Sequence, residues 1–108
     1  MRFFQDLYLG EKISPKTDQI MKKLNSGKTV PNLFLITLSE NPDNMLEIVP
    51  QWEVMQKGYP NTDIKVVGLA NGKKEAIAVV QFIVEQALQE TGSANARDYL
   101  KQRWEGQV

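Results

Sequence analysis

The sequence contains no cysteine and no histidine among its 108 residues. The first absence excludes disulfide frameworks, thiolate metal sites and thiol nucleophiles. The second removes the commonest general base and metal ligand, and with it most hydrolytic triads. An excess of one charge is missing too, because 13 basic residues balance 13 acidic ones. A chain with no net charge is poorly suited to phosphate backbones or anionic lipid, so neither nucleic acid nor membrane is an expected partner. No repeat, low-complexity tract or Gly/Ser linker divides the chain. The uncharged run Ala76 to Val84 contains Gln81 and falls far short of the roughly 20 apolar residues that a bilayer requires. Near the N-terminus, Asp6 interrupts the run that a signal peptide would need, which together with the missing cysteines sets a cytoplasmic expectation.

What remains is 42% apolar and 24% charged in 12.3 kDa, the composition expected of one soluble globular domain over residues 1–108 with a single core. Phe3 to Leu9 fits either a short strand or an irregular docking arm, with Leu7-Tyr8-Leu9 its extended part. Ser14-Pro15 then supplies a cap and a first-turn proline, Thr17, Ile20, Met21 and Leu24 share one helical face, and Gly27 ends the helix. Leu33 to Leu38 and Ile64 to Leu69 are short continuous apolar runs, the pattern of strands covered on both faces. Between them, Met45, Leu46, Ile48, Val49, Trp52 and Met55 have helical spacing, with Pro50 either kinking one helix or separating two elements. The two strands with this crossover predict an α/β domain, with a right-handed βαβ unit in a small parallel sheet of two or three strands with flanking helices. A long helix is expected from Asn71-Gly72 to Glu90, with Thr91-Gly92 ending it, and Asn95 with Asp98 has the spacing of a capping box for a last helix carrying Ala96, Tyr99, Leu100 and Trp104.

Ligands of open parallel sheets gather beyond the carboxyl ends of the strands. On the parallel reading those ends are Ser39-Glu40-Asn41 and Ala70-Asn71-Gly72, and Glu40, Asn41, Asn71, Gly72, Lys73 and Lys74 become candidate ligand-binding residues. Lys73 and Lys74 in a helix first turn are slightly unfavourable unless an anion such as a phosphate meets them there. The glycine spacing matches neither a phosphate loop nor a dinucleotide fingerprint, and the same residues also read as a plain turn, with Gly68 a close-packing position. Asp43 and Glu47, four apart, would share a helical face and suit a hard cation, although such pairs are more often a solvated edge. Trp52, Trp104, Tyr59 and Tyr99 lack an interleaved basic stripe and read as core or interface. Lys12, Lys16, Lys22, Lys23 and Lys28 alternate with Glu11 and Asp18 and read as a solvated face. No catalytic pair, metal site or cofactor is implied.

The long helix carries Ile77, Val79 and Phe82 outside its main apolar stripe, which makes Val79 and Phe82 candidate interface residues of a homodimer. The strings Val66-Val67-Gly68-Leu69-Ala70-Asn71-Gly72-Lys73-Lys74-Glu75-Ala76, Asn41-Pro42-Asp43-Asn44-Met45-Leu46-Glu47-Ile48 and Thr91-Gly92-Ser93 resemble a group of small bacterial proteins of unknown function. The resemblance implies a cytoplasmic bacterial protein and assigns no residue a role. The sequence thus predicts a non-enzymatic interaction or scaffold protein, oligomeric through an apolar surface. Its alternative is a small-ligand or anion-binding protein using the helix that follows the second central strand.

Overall fold

In a computed structural model of the chain, residues 1–38, 45–57 and 64–106 are described. They form β1 (Arg2–Leu9), a 3-10 turn (Ser14–Lys16), α1 (Thr17–Asn25), β2 (Leu33–Leu38), β3 (Leu46–Pro50), α2 (Gln51–Lys57), β4 (Lys65–Asn71), α3 (Lys73–Thr91) and α4 (Ala96–Gly106). The strands make one mixed sheet in the order β1-β4-β2-β3. β1 and β4 are parallel, while β2 runs antiparallel to both β3 and β4.

This corrects the parallel sheet of two or three strands and its βαβ unit. β2 and β4 are central strands, as their apolar runs indicate, but such a run reports two covered faces and carries no information on strand direction. The expected helical crossover is also two elements of different kinds. Leu46–Pro50 pairs with β2, and α2 begins at the next residue. Pro50 lies opposite Phe34 at the end of an edge strand, where a missing N–H leaves no interior ladder bond unmade.

Helices cover both faces of the sheet. On one, Ile36, Val67 and Ala70 pack with Ala76, Val79, Ile83 and Ala87 of α3 and with Ala96, Leu100 and Trp104 of α4. On the other, Leu33, Leu35, Val66 and Leu69 pack with Ile13, with Ile20 and Leu24 of α1, and with Val54 of α2. Val66 and Leu69 share a face although they are three positions apart, which breaks the period of two. A bulge explains this, because one step from Ile36 to Thr37 matches two steps on β4, from Gly68 to Val66. Gly68 sits at the irregularity, where a Cβ would meet the Tyr8 carbonyl oxygen at 3.0 Å and Ile36 Cδ1 at 3.1 Å.

The last two helices end as their sequences suggest. Gly92 adopts φ 76° and donates its N–H to Leu88 O at 2.9 Å, closing α3 with a left-handed cap. Asn95 Oδ1 accepts the Asp98 N–H at 3.0 Å, which caps α4. Neither sheet edge is well suited to extension by another chain. β1 takes five steps from Phe3 to Tyr8 against two on β4, and β3 is five residues long and ends in Pro50.

Candidate functional site

β1 and β4 are the parallel neighbours of the sheet, so their carboxyl ends lie side by side. Beyond Leu9 the chain passes into the 3-10 turn and α1 on one face, and beyond Asn71 it enters α3 on the other. Parallel neighbours whose continuations leave to opposite faces open a crevice outside their carboxyl ends. A groove of about 640 Å³ lies there, between the end of β1 and the first turns of α3. Leu9, Val79, Phe82 and the ring of Tyr8 give it an apolar wall, and Lys12, Asn71, Lys74 and Glu75 give it a polar one.

Glu75 joins the two strand ends. Its Oε1 accepts the Asn71 N–H at 2.9 Å and its Oε2 accepts the Lys12 N–H at 3.3 Å. The carboxylate passes over Gly10, whose own N–H donates to Leu69 O at 2.9 Å. Asn32, held at φ 62°, fixes the other side of the turn: its Nδ2 donates to Asn71 Oδ1 at 2.8 Å and its carbonyl accepts the Gly72 N–H at 2.8 Å.

A polar network stands behind the apolar wall. Tyr8 donates its hydroxyl proton to Gln86 and receives Arg103 Nη1 at 3.3 Å. The same guanidinium nitrogen donates to the Tyr99 hydroxyl at 2.8 Å, and Tyr99 donates in turn to Glu90. Burial pushes the Tyr8 phenol up to about 12, with Arg103 opposing the shift, and burial together with the Glu90 hydrogen bond raises that of Tyr99. Phe82 meets the Tyr8 ring edge-on at 6.0 Å between centroids and leaves 57% of its surface exposed.

Of the residues proposed from sequence, Asn71 and Lys74 line the groove. Gly72 has its N–H engaged by Asn32, and Lys73 is exposed beside the groove without lining it. Glu40, Asn41 and Asp43 lie outside the described residues. Asn71 pairs with Leu33, the first residue of β2, so the carboxyl ends of β2 and β4 lie at opposite ends of the sheet. That removes the basis for a cleft shared between them.

Val79, proposed for an interface, is covered by its own chain in the core between α3 and the sheet, whereas Phe82 is exposed. Glu47 lies on β3 and not on a helix, so its spacing from Asp43 does not place them on one helical face. Trp104 is buried and stacked on Phe4, Tyr99 is buried, Trp52 is exposed on α2, and Tyr59 lies outside the described residues. The sequence reading missed Tyr8, Gly10, Lys12 and Glu75 as site residues. Their signal was the glycine directly after Leu7-Tyr8-Leu9, which would have marked a strand end once that stretch was taken as a strand.

No family model, curated protein or solved structure matches the chain.

Proposed function

We propose that this protein binds a small molecule in the groove at the carboxyl ends of β1 and β4. The observation that carries the reading is the position of the groove, where, among the described residues, two parallel strands end side by side and their continuations diverge. Its volume falls within the range of about 300–1,000 Å³ typical of small-molecule sites. The composition supports an amphipathic ligand, with an apolar or aromatic part against Phe82 and a polar part toward Lys12 and Lys74.

Binding is favoured over catalysis. Glu75 is committed to holding two backbone N–H groups, and the Tyr8 phenol is turned to Gln86 and pushed up to about 12, so neither is placed as a general base toward the open space of the groove.

Native mass spectrometry of freshly purified protein tests the reading, beside a denatured control and an Ala78→Trp variant. Ala78 is exposed and lines the groove, so the larger side chain obstructs the site without entering the core. A non-covalent adduct lost in the variant supports the reading, and an adduct that persists in the variant contradicts it.

A role in protein interaction is the second reading, favoured by the exposed Ile77 and Leu88 on α3, by Trp52 and Met55 on α2, and by Met45 just before β3. A homodimer through the outer face of α3 is the form it takes.

A further inference from the structure

A second cavity opens on the other side of the same strand ends. It encloses about 270 Å³ between α1 and the segment that leads into β2. Lys12, Lys16 and Lys23 line it with Gln19 and Asn71, and among the described residues no carboxylate does. Lys16, Gln19 and Lys23 are three and four residues apart in turn, which places them on one face running from the 3-10 turn into α1. The buried side chains of Ile13, Ile20 and Leu33 also line it, so its walls are partly apolar. None of the three ammonium groups has an ion-pair partner among the described residues.

Three like charges around a concave, partly apolar surface repel one another and focus a positive field into the space between them. We propose that this pocket takes the phosphate group of a small phosphorylated molecule. A phosphate monoester brings nearly two negative charges and three terminal oxygens, which suits three lysines, whereas a carboxylate brings one charge. A polynucleotide fits less well, because Glu11 and Asp18 interrupt the lysines along the chain and no continuous basic stripe leads away from the pocket. The proposal moves the anion from Lys73 and Lys74, at the start of α3, to the opposite face of the sheet. It goes beyond the groove reading and does not rest on it, since the two cavities share only Lys12 and Asn71.

The test is a titration of the full chain with inorganic pyrophosphate at constant ionic strength, followed by the amide resonances of Lys16, Gln19, Lys23 and Asn71. We expect saturable shifts whose affinity falls about tenfold in Lys16→Gln/Lys23→Gln and stays within about twofold in Lys73→Gln/Lys74→Gln. All four lysines are exposed, so melting temperatures should be close to wild type. Shifts that grow linearly, that sodium chloride reproduces, or that survive the Lys16/Lys23 substitutions would overturn the proposal. So would preferred binding of an oligonucleotide at matched phosphate concentration. Ala78→Trp separates the two sites: it should abolish groove binding and leave the pyrophosphate response intact, and loss of that response in Ala78→Trp would count against an independent phosphate pocket.

Discussion

A Cβ on Gly10 would come within 1.9 Å of Glu75 Oε1, so the glycine is the space through which this carboxylate reaches the Asn71 and Lys12 N–H groups. Gly10→Ala should therefore act through Glu75. The far end of a flexible side chain can move aside, but only by giving up hydrogen bonds to a charged acceptor, for a cost of about 1–3 kcal/mol. Adding Gly10→Ala to Glu75→Ala should then cost little more than Glu75→Ala alone. Urea unfolding of the two single variants and the double variant checks this, and full additivity would contradict it.

Gln51 is fully buried and satisfies two backbone groups in the segment before β2, accepting the Val30 N–H at 2.6 Å and donating to Lys28 O at 2.9 Å. Gln51→Leu keeps the bulk and leaves both groups without partners. We expect a loss of about 2–4 kcal/mol in denaturant unfolding, larger than for any exposed α2 position.

The Tyr8 phenol keeps its proton in the folded chain to higher pH than in the unfolded chain. With a folded value of about 12 against an ordinary value near 10, the resulting stability is complete below about pH 10 and is lost as pH rises toward 12. Tyr8→Phe should show a smaller fall in stability over that window. Unfolding free energies measured at several alkaline pH values test this, and equal slopes for both proteins would contradict it.

Val79 and Ile77 lie two residues apart on α3, the first in the core and the second 44% exposed. Val79→Glu should unfold the chain or cost more than about 3 kcal/mol, because it buries an unpaired charge. Ile77→Glu should fold normally. Light scattering on Ile77→Glu then tests the dimer reading directly: a halved mass relative to wild type supports it, and an unchanged mass removes the outer face of α3 as the interface.

The elements legible in the sequence were those whose local signals agree. β2 and β4 were marked by continuous apolar runs, α3 by its length and Gly92, and α4 by the Asn95–Asp98 cap. β3 was missed because Leu46, Ile48, Val49, Trp52 and Met55 satisfy a helical period across what is in fact a strand followed by a helix, and five residues are too few for alternation to prevail. Pro50 was the informative residue, although its sequence alone left open whether it kinked a helix or divided two elements. Strand direction was illegible because apolar runs encode covered faces only. The candidate site suffered from the same gap: Asn71 and Lys74 line the groove and were named from the β4–α3 turn, while Gly10, Lys12 and Glu75, which line it with them, depend on β1 lying parallel beside β4.

The most direct test of the groove is an amide shift map of the protein against a library of small amphipathic molecules, with wild type and Ala78→Trp measured side by side. We expect at least one compound to give saturable shifts clustered at Gly10, Lys12, Lys74 and Ala78, and to lose them in the variant. Shifts confined to other surfaces, or clustered shifts that persist unchanged in Ala78→Trp, would contradict a ligand site at the ends of β1 and β4.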